Sequence, residues 1–195
     1  MVLTEREDQK RLSERELVTR CLNGDMEAFG ALFERYERSI YRYAYHLLGD
    51  RDEADDVKQD TFVKAYRALP GFRGECALQT WLLKIAGNLC RDRHKLRARR
   101  QEVALIPEIE CDLPSSGEHD GDPVRLLERK DLCATVQRVL AGMPEHRREL
   151  IVLRDLEGLS YPEIAQALNC SVAGVKLRLF RARRNFKDRI DAFCQ

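Results

Sequence analysis

The sequence predicts an all-α protein of two small helical domains joined by a flexible linker. Three observations carry this expectation. Apolar residues recur at helical spacing nearly throughout the chain. Alternating β-branched runs, the mark of half-buried strands, do not compete with them. One stretch, residues 97–122, has almost nothing to bury and contains Pro107, Pro114 and the run Ser115-Ser116-Gly117. A chain of 195 residues is long for one small domain and short for two large ones. The expected division is a domain over 1–96, a linker over 97–122 that is basic and then acidic, and a domain over 123–195.

The first clear stripe is Phe29, Leu32, Phe33, Tyr36, Ile40, Tyr43 and Leu47, with Gly49 placed to end the helix. The second runs Ala54, Val57, Thr61, Phe62, Ala65, Tyr66 and Leu69 and stops at Pro70-Gly71. After a loop, Phe72–Cys76, a third runs Leu78, Trp81, Leu82, Ile85 and Leu89. Periodicity returns at Pro123 through Val124, Leu127, Val136, Val139 and Leu140. Pro144 suits the N1 position of a following helix that ends near Gly158. Ser160-Tyr161-Pro162-Glu163 is a capping box opening a short helix of Ile164, Ala165 and Leu168. Asn169-Cys170 makes a turn, because Asn tolerates a left-handed backbone. Ser171 caps a last helix whose buried side is Val172, Val175, Leu179, Ala182 and Phe186. Small Ala165, the turn at Asn169 and branched Val175 are what a helix-turn-helix needs to bend sharply and pack again.

Composition excludes several classes. The longest aliphatic stretch is Leu150–Leu153, too short to cross a bilayer. The opening MVLTEREDQKRL carries acids and no apolar run, so no secretory leader is expected and the protein is placed in the cytoplasm. Seven cysteines lie at least 14 residues apart, without the paired spacing of zinc ligands or a disulfide framework, and neither metal nor cofactor is expected. The four histidines are scattered and no nucleophile elbow or phosphate-binding glycine loop occurs, so no enzyme is expected. The net charge of +1 conceals segregation. Residues 50–60 carry a net −4, 91–101 a net +5, and 172–189 a net +6, while 102–122 hold seven acids and no Lys or Arg. Two basic blocks in a neutral total point to local contacts with a polyanion.

The exposed face of the last helix offers Lys176, Leu177, Phe180, Arg181 and Arg184. A basic helix after a sharp turn fits the major groove of B-DNA, with Lys176 and Arg181 reaching bases or phosphates and Leu177 and Phe180 thymine methyls. The N-terminal domain offers an acidic helix face, a loop reading FRGEC, and a helix bearing Trp81, Asn88 and Arg91. Aromatics beside Arg and Asn suit unpaired bases, which need faces to stack on and polar groups to read their edges.

The text EADDVKQDTFVKAYRALPGFRGECALQTWLLKIAGN, followed after a linker by MPEHRRELIVLRDLEGLSYPEIAQALNCSVAGVKLRLFRAR, resembles bacterial RNA polymerase sigma factors of the extracytoplasmic-function (ECF) class. The resemblance implies a region 2-like domain over 1–96 and a region 4-like domain over 123–195. It implies docking of Asp52, Glu53, Asp56, Gln59 and Asp60 on the clamp helices of the polymerase β′ subunit, with further contact to the β subunit. Phe72, Arg73 and Gly74 fall in the loop that captures a base flipped from the melted −10 element. Asn88, and with it Arg91, falls beside that element. Tyr161, Ser171, Lys176, Leu177, Phe180 and Arg181 fall at the −35-reading helix-turn-helix. Core polymerase, promoter DNA and an anti-sigma factor are the implied partners, with no insertion into a membrane. Leu177, where relatives commonly carry a small polar residue, and the loop text GECAL depart from the usual pattern. The competing expectation is a stand-alone helix-turn-helix activator or repressor, which would bind duplex DNA tightly without polymerase.

Overall fold

The structure, a computed structural model, describes residues 12–99 and 123–193; most of the expected linker therefore lies outside the described residues. Helix α1 spans Glu14–Leu22, α2 Met26–Leu48, α3 Arg51–Ala68 and α4 Leu78–Arg99, with a single 3₁₀ turn at Leu69–Gly71 before the loop to α4. Helix α5 spans Pro123–Ala141, α6 Glu145–Ile151, α7 Tyr161–Ala167 and α8 Val172–Phe193. Between α6 and α7 the chain continues through a π-helical turn, Val152–Leu156.

Caps explain most boundaries. Asp25 accepts from the backbone N–H groups of Glu27 and Ala28, each at 3.0 Å, to start α2. Asp50 accepts from Glu53 N–H at 2.9 Å to start α3. Helix α1 is not foreseen by the apolar spacing, although it carries a readable signal: Ser13 and Glu16 form a reciprocal capping box. Two boundaries differ from expectation. Pro144 is the N-cap of α6 rather than its first helical residue, since its extended ψ of 136° leaves Glu145 to open the helix. Helix α4 continues to Arg99, so residues 97–99, expected in the linker, are helical, held by Arg97 bonding back to Glu53 and the Leu48 carbonyl.

The three apolar stripes bury for the most part, although Tyr66, expected in the second, is 44% exposed. Leu32, Ile40, Tyr43 and Leu47 of α2 meet Ala54, Val57, Phe62 and Ala65 of α3 and Leu78, Leu82, Ala86 and Leu89 of α4. Yet the core does not stop at this bundle. Leu140, Met143, Leu150, Leu153, Ile164, Val175 and Leu179 of the C-terminal helices belong to the same continuous cluster. The two halves, expected as two domains joined by a flexible linker, pack against each other, with α2 in the middle.

Side chains from both halves converge on the C-terminus of α2. The last carbonyls of a helix have no partner within it and must find one elsewhere. The Leu47 carbonyl accepts from His94 Nε2–H of α4 at 3.2 Å and from Arg148 of α6. The Leu48 carbonyl accepts from Arg97 at 3.2 Å, and the Tyr45 carbonyl from Gln137 of α5 at 3.1 Å. Arg148, buried, also donates to the Ala141 and Met143 carbonyls at 2.8 and 3.2 Å, so one guanidinium caps α5 and α2 together. Gly49 ends α2 in the left-handed region, φ 73°.

Two substitutions test this account by denaturant unfolding. Gly49→Ala forces a side chain into the left-handed region and is expected to cost about 1–2 kcal/mol. Gly30→Ala, exposed in mid-α2 with open space around it, is expected to add roughly 0.5–1 kcal/mol.

Candidate nucleic-acid and polymerase interface

The predicted docking face lies along α3. Asp52, Asp56, Gln59 and Asp60 are exposed, while Glu53 is half-buried. The face is not purely acidic, because α4 lays basic residues beside it. Arg97 bonds Glu53 at 2.8 Å, and Arg93 reaches Asp56 at 3.3 Å and Asp60 at 3.5 Å. The two Arg93 pairs, long and to exposed carboxylates, are worth well under about 1 kcal/mol, so a partner's cations can displace them cheaply. Gln59 donates to Asp55 at 2.7 Å.

The Phe72–Gly74 loop leaves the 3₁₀ turn through Gly74 in the left-handed region, φ 71°. Phe72 and Trp81 lie face to tilted face, ring centres 5.0 Å apart. They form part of the wall of an open cavity of about 550 Å³ with Arg73 and Lys84. Trp81 is half-buried, packing against the core while it walls the cavity. The far side of this cavity belongs to Gln166 and Asn169 of the C-terminal half, and Gln166 donates to the Glu75 carbonyl at 3.3 Å. Asn88 is exposed and accepts from Arg91 at 2.6 Å.

In the C-terminal half the predicted turn forms as read. Ser160 and Glu163 close the capping box, Asn169 adopts φ 50°, and Ser171 accepts from Gly174 N–H at 3.1 Å to start α8. Val175, Leu179 and Ala182 bury one side of α8; Val172, expected among them, is 38% exposed. That burial turns Leu177 and Phe180 outward, 54% and 69% exposed, with Lys176 and Arg181 also at the surface. The face divides. Tyr161, Lys176 and Phe180 line one groove with Arg183, Arg184 and Lys187. Arg181 lies on the other flank, in a cleft that Arg91 of α4 also lines.

These features are two helical modules of the right content, and comparison with known proteins decides what they are. Residues 32–100 match the family described as Sigma-70 region 2, and residues 133–186 match Sigma-70, region 4. The RNA polymerase sigma-H factor of Pseudomonas aeruginosa is 37% identical over 186 residues, 93% of each chain. The ECF RNA polymerase sigma-E factor of Escherichia coli K12 is 35% identical, covering 93% of this chain and 96% of its own. The chain belongs to the ECF sigma factors. Among solved structures, CnrH in complex with the cytosolic domain of CnrY superposes with a TM-score of 0.67 at 29% identity, covering 92% of this chain and 97% of that one. The sigma factor RpoE of Bartonella quintana, solved with the anti-sigma factor NepR, shares the fold with a TM-score of 0.66 at 23% identity, over 84% and 96% of the two chains.

Sequence reading missed the polar seam between the halves of this sigma factor. Glu157 is fully covered at its side chain, taking Arg42 at 2.8 and 2.9 Å and Ser39 at 2.7 Å. Glu149 of α6 accepts from Tyr43 at 2.9 Å and from Arg91 at 2.6 Å. Gly87 runs against this pair, where a Cβ would meet the Tyr43 hydroxyl at 2.7 Å and Glu149 at 2.9 Å. Burial pushes the Glu149 carboxyl above its ordinary value, with Arg91 and Tyr43 pulling the other way. Burial likewise pushes the Cys90 thiol far up, so thiolate chemistry at neutral pH is disfavoured there. No sequence signal marks the seam, because its partners lie 58 to 118 residues apart. Among the described residues no cluster could hold a metal ion, and no helix is long and apolar enough to cross a membrane.

His46 gives the seam a pH signature. Its Nδ1–H donates to Gln137 at 2.6 Å, and burial holds its pKa below the ordinary imidazole value despite that bond and nearby Glu157. His94 is lowered too, first by burial. A neutral native imidazole against a protonated unfolded one means stability present above about pH 6.5 and lost as pH falls. The wild-type denaturation midpoint, followed from pH 7.5 to 5.5, should fall more steeply than that of His46→Gln. Parallel curves would reject the assignment to His46.

Proposed function

We propose that this ECF sigma factor directs core RNA polymerase to promoters by reading duplex −35 DNA with one module and trapping the melted −10 strand with the other. The reading is supported most directly by α8, which keeps Leu177 and Phe180 out in solvent between Lys176 and Arg181. Large apolar side chains exposed beside cations on a capped helix suit a groove whose floor offers methyls and whose rim offers phosphates. The proposed modules are an N-terminal one that ends with α4 at Arg99 and a C-terminal one that opens with α5 at Pro123, joined by the segment between them.

In this account the cations of the β′ clamp helices take over Glu53, Asp56 and Asp60 from Arg93 and Arg97, with Asp52 and Gln59 alongside. The −10 strand meets Phe72, Arg73, Gly74, Asn88 and Arg91, and Tyr161 and Ser171 flank the −35 contact. Unstacking a base costs a few kcal/mol, and stacking on an aromatic returns about 1–3 kcal/mol. The balance is close, so melting requires polymerase to hold the module in register. CnrH is solved in complex with the cytosolic domain of CnrY, and RpoE of Bartonella quintana with the anti-sigma factor NepR; an anti-sigma factor is the expected partner here. The place of action is the cytoplasm, where polymerase and promoter meet.

Run-off transcription with purified bacterial core polymerase on fragmented genomic DNA tests the whole reading. Discrete new transcripts with shared upstream motifs are expected; none, with tight duplex binding by the protein alone, would favour a stand-alone regulator. Lys176→Ala with Arg181→Ala should abolish −35-dependent transcripts and leave core binding intact. Each lost base contact is worth about 1–3 kcal/mol, so losing both should lower promoter use by at least about thirtyfold. Unchanged promoter selectivity would remove α8 from the reading role.

A further inference from the structure

The cleft between the halves gathers four arginines, of which Arg91 alone is paired among the described residues, with Glu149 at 2.6 Å. It has a volume of about 670 Å³, and Arg91 of α4, Arg147 of α6, and Arg178 and Arg181 of α8 line it. Its carboxylate is Glu149, already engaged by Tyr43 and Arg91; Glu145, at the start of α6, also lies within electrostatic reach of Arg91. Arg147 is half-buried and Arg178 and Arg181 are exposed, and none of the three is paired within the described residues. Guanidinium groups crowded into a concavity repel one another, and their forked donors match phosphate oxygens. Leu150 and Leu168 supply an apolar floor beside them.

We propose that this cleft is a binding site for a small oligophosphate, and that the ligand holds the two halves closed. A chain of phosphates presents oxygens in several directions, as four guanidiniums from three helices require; a single carboxylate does not. Closure follows from where the ligands of the phosphate come from, because Arg91 belongs to one half and Arg147, Arg178 and Arg181 to the other. The regulatory consequence rests on the function proposed above. There Arg91 serves the −10 element and Arg181 the −35 element, sites roughly 80 Å apart along a duplex. Both side chains line one cleft here, so a bridged protein cannot span a promoter.

Binding of inorganic tripolyphosphate to the full-length protein, followed by calorimetry with sulfate at matched ionic strength as control, tests the site without polymerase. Expected is one-to-one binding at least about tenfold tighter than sulfate, weakened about tenfold in Arg147→Ala. Small-angle scattering should show the compact form favoured by tripolyphosphate. Arg178→Ala carries the same test should Arg147→Ala fail to fold. Affinity equal to that of sulfate, or undiminished in a folded variant, overturns the site. So does a short random-sequence duplex that displaces tripolyphosphate and depends on Arg147 equally, which would assign these arginines to the DNA backbone. In run-off reactions tripolyphosphate should inhibit the wild type and spare Arg147→Ala. An absence of any transcripts would count against the sigma reading alone, leaving the calorimetric result standing.

Discussion

The carbonyls at the end of α2 organise the molecule. A helix cannot satisfy its own last turn, and here the turn is buried, so water is not the remedy. His94, Arg97, Gln137 and Arg148, from three other helices, supply the donors instead. Each donor fixes the angle and depth of the helix that carries it. The bundle and the helix-turn-helix are thus oriented by one set of backbone dipoles, whose partial negative charge also favours the arginines drawn to it. The apolar cluster supplies bulk driving force, but apolar contact is non-directional and would tolerate many relative placements.

The seam that results is polar at its centre. Glu157 with Arg42 and Ser39, and Glu149 with Tyr43 and Arg91, place two carboxylates against bundle donors. Ion pairs taken out of water regain little net free energy, because desolvation offsets most of the attraction. A seam built this way specifies one arrangement without making it deep. Such an interface suits a protein whose halves must part to reach sites far apart on DNA, since the released groups are readily rehydrated. A wholly apolar seam of equal area would resist opening far more.

Much of the fold was legible because it is local. The stripe from Leu32 to Leu47, the capping box at Ser160 and Glu163, and left-handed Asn169 each follow from residues within a turn or two of one another. Ser13 and Glu16 carry the same capping signature as Ser160 and Glu163, yet α1 has too few apolar residues for periodicity to announce it. Phe180, an aromatic on a partly apolar helix, fits core and surface alike by residue type; the burial of Val175, Leu179 and Ala182 turns it outward. Closure of the halves was illegible for a different reason. Arg148, Glu149 and Glu157 carry no local signal, and only tertiary partners on α2 and α4 give them roles. The candidate contacts were likewise gathered by motif, and α8 proves to divide them between two flanks.

The π-helical turn at Val152–Leu156 holds one residue more per turn than the helix it continues, with Glu157 N–H reaching the Val152 carbonyl at 2.9 Å. An extra residue advances everything downstream by about 100° around the axis. Phase is thereby set: Glu157 is carried round to meet Arg42, and the helix-turn-helix is presented at its particular angle to the rest of the chain. Shortening that turn by a single residue would keep every side chain of the reading helix and aim it in another direction, so a deletion remote from DNA would act as a change of bearing rather than of chemistry.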